Sequence, residues 1–377
     1  MKRLAIMTNA DPRDRMNFSG TSYAMLTELE KHFDVTWINP VTPLSNRIAQ
    51  LMNYRQRKRY GKFFLNHVPL WLSRLESAKL SREVRKHSID GVLNIGMGVP
   101  LLHYTEKAPV MTFADATMKQ MMEHYYELQP EQAKAAKRAN TREKITFDRS
   151  RMILTTSQWC ADSVIRDYDV TPEKVRMVKV GANMDINLET KTAPKERRIH
   201  LLFCGVDPAR KGLAIAADAV AKLNQLDPDH DFVLDVVGLS EAEGITGDHV
   251  IFHGRLDKNK PTEEAKLQEF YRQSDLFILP TRMDTIGIVF LEAASFGLPT
   301  LTCRTGGVPE YVVDGEMGYC LDLAADGTAF AQKALELIQN PERYERFSAQ
   351  AVQHIREDMN WETWGKVVSS YLDQMMV

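Results

Sequence analysis

At 377 residues, 44% of them hydrophobic and 26% charged, the chain is too long for one ordinary core and too apolar to be disordered. No run approaches the roughly 20 apolar residues of a membrane-spanning helix, and the apolar opening is too short for a signal peptide. The net charge is −2, and Cys160, Cys204, Cys303 and Cys320 are scattered without C-x-x-C or metal-ligand spacing, which predicts reduced, mostly buried thiols in a cytoplasmic protein.

The predicted elements begin with a strand at 4–8, the turn Phe18-Ser19-Gly20-Thr21 and an amphipathic helix at 21–32, with Ser19 able to cap that helix. Further apolar runs at 34–39, 91–95, 110–113, 152–156 and 175–180 read as buried strands. Between 47 and 87, eleven Lys/Arg stand against Glu76 and Glu83, a local balance of +9 that leaves −11 for the remainder. Tyr54, Tyr60, Phe63, Phe64, Leu70, Trp71 and Leu72 are interleaved with those cations. The composition suits a surface lying on anionic lipid or meeting a phosphate-rich acceptor, and equally a solvated basic face with a few core aromatics. Nucleic acid is disfavoured, because the remainder is acidic and no nucleic-acid-binding motif is present.

The charged, Pro-containing segment 189–198 has no apolar period and reads as a linker. Beyond it a second series of strands is predicted at 200–204, 232–237, 250–253, 276–279, 300–303 and 319–321, with helices at 213–226 and 329–338. Strand alternating with helix, twice over, predicts an α/β chain of two doubly wound domains, 1–188 and 189–360. Residues 361–377 carry Trp361, Trp364, Val367, Val368 and Tyr371 at helical spacing and are expected to pack back onto the first domain. Open parallel sheets bind ligands at the carboxyl ends of their strands, so two facing sheets would form a cleft.

Two loops after second-series strands carry chemistry. In Cys204-Gly205-Val206-Asp207-Pro208-Ala209-Arg210-Lys211-Gly212, Arg210 and Lys211 are placed to neutralise a leaving diphosphate, although two surface cations in a β-α loop read the same way locally. In the stretch from Asp284 to Gly297, Gly287 permits close backbone approach, and the helix start near Ile288 and Val289 offers free amides to a diphosphate. Glu292, one turn further, is suited to accept from sugar or ribose hydroxyls. The plain alternative is that Asp284 or Thr285 caps the helix and Glu292 lies on a solvated face. Asp227-Pro228-Asp229 imitates the D-x-D of metal-dependent transferases but sits between a helix and a strand, as a turn does.

Acidic-x7-acidic followed by Ala-Ala-Ser-Phe-Gly-Leu-Pro, then Gly306-Gly307-Val308-Pro309-Glu310 and Gly315-Glu316-Met317-Gly318, resembles the retaining glycosyltransferase family 4, the group 1 glycosyltransferases. The resemblance spans most of the chain and is strongest over 201–321. It implies the GT-B fold, with two Rossmann-like domains facing across a cleft. Its family pattern is Glu-x7-Glu, so Asp284 stands where the first Glu contacts the donor sugar and Glu292 matches the ribose contact, while the Gly287 loop holds the diphosphate. Val206 stands where the family has Arg, with Arg210 nearby to compensate. Ser19 and Gly20 match a Gly-Gly loop near the donor phosphate and the acceptor. Asp115 replaces a His that touches the donor sugar, or else simply caps a helix at 116–127. Gly254 and Arg255 match the segment that holds the base, and 181–185 the entry to the linker.

The resemblance thus implies a metal-independent, retaining transfer from a nucleotide-sugar, UDP- or GDP-linked, with no cofactor. The acceptor would be a glycan or lipid-linked molecule of bacterial cell-envelope synthesis, with the protein on the inner face of the membrane. The same architecture also serves sugar-nucleotide epimerases, phosphorylases and degenerate donor-binding scaffolds.

Overall fold

The computed structural model describes residues 1–60, 70–125 and 132–377. The chain divides into two compact units, Met1–Val178 with Gly365–Val377, and Lys179–Trp364.

The first unit is built on a parallel sheet of β1 (Arg3–Met7), β2 (Asp34–Ile38), β3 (Gly91–Ile95), β4 (Val110–Ala114), β5 (Met152–Thr155) and β6 (Val175–Met177), in the order β2-β1-β3-β4-β5-β6. Every residue of β3 and β4 is buried, which is why these strands read as continuous apolar runs rather than as alternating ones. Helices α1 (Thr21–Leu29), α2 (Pro43–Tyr60), α3 (Leu70–Lys86), α4 (Met118–His124), α5 (Ala133–Arg149) and α6 (Gln158–Tyr168) accompany the strands. The basic stretch therefore holds two helices. Tyr54, Trp71 and Leu75 are exposed and Leu72 is buried, while Lys62, Phe63 and Phe64 lie outside the described residues.

The second unit repeats the plan. Strands β7 (Arg198–Cys204), β8 (Asp231–Val237), β9 (Val250–Phe252), β10 (Leu276–Leu279), β11 (Thr300–Cys303) and β12 (Gly318–Leu321) are all parallel, in the order β12-β11-β10-β7-β8-β9. Around them lie α7 (Pro208–Lys211), α8 (Leu213–Leu226), α9 (Pro261–Gln273), α10 (Ile288–Ser295), α11 (Gly327–Ile338), α12 (Pro341–Glu357) and the start of α13 (Trp361–Met375). Its core is a continuous cluster that includes Leu201, Phe203, Phe232, Phe277 and Phe290.

Each of the twelve strands among the described residues overlaps an apolar run that predicts it. β6 is the clearest shortfall, ending at Met177 rather than 180, because its pairing with β5 stops at Thr155. Asp227-Pro228-Asp229 is a turn: His230 N donates to Asp227 O at 3.4 Å and the Asp227 carboxylate meets His230 Nδ1 at 2.9 Å.

Topology singles out one place in the second sheet. From β7 the chain runs outward to β8 and β9, then crosses back and runs the other way through β10, β11 and β12. The carboxyl ends of β7 and β10 are therefore neighbours whose following loops diverge, leaving the crevice where doubly wound sheets bind ligands.

Candidate functional site

Both motif loops open at that crevice. After β7, the Asp207 side chain caps α7 by accepting from Arg210 N at 3.1 Å. The chain then turns through Gly212 at φ +74°, where a Cβ would stand 2.1 Å from Pro280 O, so only glycine lets this loop lie against the end of β10. Arg282 N donates to Arg210 O at 2.7 Å and Arg210 Nη1 to Met283 O at 2.9 Å. The Arg210 guanidinium thus braces the 281–284 segment.

Across this seam Lys211 Nζ pairs with Asp284 Oδ2, each side chain only 11% exposed. Gly205 makes room for the lysine stem, since a Cβ there would meet Lys211 Cγ at 3.1 Å. Gly306 packs on the far side of Asp284, where a Cβ would stand 2.0 Å from its carbonyl oxygen, and Gly307 N donates to Thr285 O at 2.8 Å. Two loops more than 70 residues apart in sequence thereby place a cation and an anion in one crevice.

The residue before α10 is Gly287, at φ +71° and without a side-chain cap, so neither Asp284 nor Thr285 caps this helix. The amides of Ile288 and Val289 open its first turn. α8 begins in the same way at Gly212 and α1 at Gly20, both left-handed and uncapped by a side chain. By contrast, side chains cap α4, α6, α7, α11 and α12 through Thr117, Ser157, Asp207, Asp326 and Asn340. Helix starts without a side-chain cap can present amides and the positive end of the dipole to an anion; α5 and α9 also lack such a cap, and at α1 the Thr21 amide already donates to Phe18 O.

Glu292 lies on no solvated face. Its side chain is 1% exposed, paired through Oε1 with Lys258 Nζ and accepting from Tyr271 OH at 3.0 Å through Oε2. Tyr271 is held by stacking on Phe296 and Phe277, with ring centroids 5.6 and 6.1 Å away. Burial pushes the neighbouring Cys204 thiol up to about 11 and the Tyr271 hydroxyl well above its ordinary value, so both stay protonated at neutral pH. Sequence reasoning passes over Lys258 and Tyr271. The only sequence signal for them is position, Lys258 in the loop after β9 and Tyr271 two residues before the end of α9.

Gly205, Gly238 and Gly254 follow β7, β8 and β9. Gly238 N donates to Gly254 O at 2.8 Å, and a Cβ on Gly238 would stand 2.3 Å from Gly205 O. Arg255, next to Gly254, is exposed, and so is Val206.

In the first unit, Phe18 and Ser19 are both left-handed, at φ 49° and 54°, and lead into Gly20 at φ 89°. Two successive non-glycine residues in this region are strained, a feature that clusters at ligand sites. The cap of α1 is Gly20, not Ser19. Phe18 meets Phe113 edge-on at 6.2 Å, which brings the Ser19 loop beside the end of the strand that precedes Asp115. Asp115 is not the cap of α4: that cap is Thr117, in a reciprocal box with Gln120, and Glu143 and Tyr168 take the amides of Met118 and Lys119. Among the described residues no group of three or more His, Cys, Asp or Glu could hold a metal ion.

Fold and crevice together define the class, the GT-B fold of glycosyltransferases, which solved structures share along the whole chain. A glycosyltransferase from Rickettsia africae ESF-5 superposes with TM-score 0.69 at 12% identity, covering 100% of this chain and 98% of that one. WaaG, a glycosyltransferase involved in lipopolysaccharide biosynthesis, gives 0.65 at 15%, covering 98% and 99%. Anabaena Alr3699/HepE in complex with UDP and glucose gives 0.67 at 14%, covering 99% and 100%. More particularly, residues 198–340, within the second unit, match the family model described as glycosyl transferases group 1. The D-inositol 3-phosphate glycosyltransferase of Arthrobacter sp. (strain FB24) is 24% identical over 74% of this chain and 63% of its own length. That of Streptomyces griseus subsp. griseus is 28% identical over 56% and 51%. The chain thus spans between half and two thirds of the length of these curated relatives.

Proposed function

We propose that the protein is a retaining, metal-independent glycosyltransferase that takes its sugar from a UDP- or GDP-linked donor. The observation that carries the reading is the Lys211–Asp284 pair at the β7/β10 crevice, set beside the uncapped start of α10. A departing nucleoside diphosphate needs fixed positive charge, which Lys211, braced by the Arg210 loop, and the Ile288 and Val289 amides would supply. Asp284 would contact the donor sugar and hold Lys211 until the phosphate arrives, and Gly254 with Arg255 would flank the base. Ser19, Gly20 and Asp115 would serve the sugar and acceptor from the first unit. A group 1 domain, and a structural neighbour solved with UDP and glucose, support a nucleotide-sugar as donor.

The acceptor in this reading is a lipid-linked or glycan intermediate of cell-envelope assembly, and the protein works at an anionic membrane face. What supports the membrane part is the outer side of α2, where Leu44, Arg47, Leu51, Tyr54, Arg55 and Lys58 share one face at helical spacing, with Leu44, Leu51 and Tyr54 exposed. No helix among the described residues is long and apolar enough to cross a membrane.

The test is thermal unfolding with UDP, GDP, ADP and their sugars, for the natural protein and Lys211→Ala. Ligand at about a hundred times its Kd should stabilise by roughly 2.7 kcal/mol. A shift with one nucleotide family that is lost in the variant is the expected result. No shift with any of them would sink the transferase reading.

A further inference from the structure

At the amino ends of β4, β5 and β6 the first unit carries a cavity of about 580 Å³, at the opposite end of the sheet from Asp115. Its wall forms where the chain enters these strands, from Lys107 to Val110, from Asp148 to Arg151, and at Lys174. Four cations line it, Lys107, Arg149, Arg151 and Lys174, against two acids, Glu106 and Asp148. Both acids are taken by cations outside the lining: Glu106 pairs with Arg85, and Asp148 with Lys144 at 3.4 Å. None of the four lining cations has an ion-pair partner among the described residues.

Two of these cations are fixed by backbone. Arg149 Nη1 donates to Tyr104 O at 2.6 Å, and Lys174 Nζ donates to Phe147 O and Asp148 O at 3.1 and 3.3 Å, the carbonyl end of α5. Burial lowers the Lys174 ammonium, Asp148 opposes that and Lys144 adds to it, so a positive charge is held there short of compensation. Lys107 and Arg151 are exposed, and their side chains meet no hydrogen-bonding or charged partner among the described residues.

We infer that this cavity binds a small molecule bearing one or more phosphate groups. Cations without carboxylates, gathered in a concave site, raise the local potential for an anion. Two guanidinium groups suit phosphate oxygens, which accept from such a fork two bonds at a time. A carboxylate brings one negative charge to four cations, whereas a phosphate ester brings about two. The volume is that of a small-molecule site, and Tyr104, Ala108 and Pro109 border the same space for the carbon part of the ligand. Substrates of doubly wound sheets bind at the carboxyl ends of the strands. A ligand at the amino ends is therefore additional to the donor and acceptor of the proposed transfer.

The experiment is calorimetric titration with inorganic pyrophosphate at about 0.15 M salt, where exposed charges more than about 8 Å apart are largely screened. The proteins are the natural chain, Lys107→Ser/Arg151→Ser, Lys211→Ala and Lys134→Ser/Lys137→Ser. Exposed side chains without partners are replaced in the first variant, so it should fold and unfold at the natural temperature. Lys211→Ala disables the diphosphate path of the crevice. Lys134 and Lys137, exposed in the first two turns of α5, remove the same charge from the same unit away from the cavity. The natural protein should bind pyrophosphate, and Lys107→Ser/Arg151→Ser should lose at least about tenfold in affinity, the scale of one hydrogen bond to a charged group. The other two variants should keep a site within about twofold of the natural affinity.

Binding that is lost with Lys211 and kept without Lys107 and Arg151 would place the pyrophosphate in the crevice, which overturns the proposal. An equal loss in Lys134→Ser/Lys137→Ser would reduce the effect to net charge and overturn it as well. No binding by the natural protein would refute it outright. None of these outcomes bears on the transferase reading, which is tested by nucleotides at the crevice.

Discussion

The chemistry of Asp284 comes from a neighbour 73 residues away in sequence. Read locally, an acid four residues ahead of a helix is a capping candidate, but Gly287 occupies the cap position and the carboxylate turns to Lys211. An Asp284→Asn variant keeps the shape and removes the charge. Turnover should fall by at least about a hundredfold, the scale on which a lost charged contact in the transition state is felt. Because Lys211 loses its ion partner in a largely buried site, the variant should also lose about 1–3 kcal/mol of stability, measurable by chemical unfolding. A variant with natural turnover would remove Asp284 from the site. Glu292 teaches the same lesson in reverse: its position in the helix was plain in the sequence, its burial was not. The lysine and tyrosine that pair with it sit 34 and 21 residues away.

Among the elements, strands were legible because sheets covered on both faces demand unbroken apolar runs. Helix starts were legible only as turns, since the difference between Gly287 and Thr117 as a cap lies in backbone angle and hydrogen bonding. Strand pairing also built a bridge that no motif announces: Asp235 of β8 meets His200 Nδ1 of β7 and His253 Nε2 just after β9, each at 2.7 Å. Burial alone would raise the Asp235 carboxyl, but the two histidine hydrogen bonds outweigh it and hold it low. The same hydrogen bond raises His200 against its burial, with Asp275 adding to the rise and Arg198 opposing it. A raised histidine contributes stability that is complete below about pH 6.5 and lost as pH climbs through its folded value; a depressed aspartate contributes stability present above about pH 3.9 and lost below it. The bridge should therefore be worth most between about pH 4 and 6.5. Asp235→Asn should lower Tm more at pH 5.5 than at pH 9, and equal losses at both would show that the bridge is not ionic.

Across the whole molecule, charge is partitioned: the +9 of residues 47–87 sits on α2, α3 and the segment between them, within an otherwise acidic chain. Tyr54 and Trp71 are exposed among these cations, the arrangement that anionic bilayers attract. In sedimentation with phosphatidylglycerol vesicles, the natural protein should bind and should release as salt rises, whereas phosphatidylcholine vesicles should retain little of it. Each cation near such a surface is worth roughly 1 kcal/mol, so Arg55→Glu/Lys58→Glu should weaken partition by at least about thirtyfold. Binding that ignores both lipid charge and these substitutions would dissociate the basic face from the membrane.

By itself the sequence determined the two doubly wound sheets, whereas the seam between the two units falls at 178/179 rather than in the segment 189–198, where Lys191 bonds Ser348, Arg272 and Ser274 of the second unit. Apolar periodicity, glycine positions and the acidic-x7-acidic spacing are local properties that need no partner to be read. Only the tertiary structure decided that β7 and β10 lie side by side, that Lys211 answers Asp284, that Glu292 is closed by Lys258 and Tyr271, and that Thr117 rather than Asp115 caps α4. The physical reason is common to all four. Strand order, ion pairing and burial are relations between segments far apart in the chain, and they exist only once the apolar core has brought those segments together.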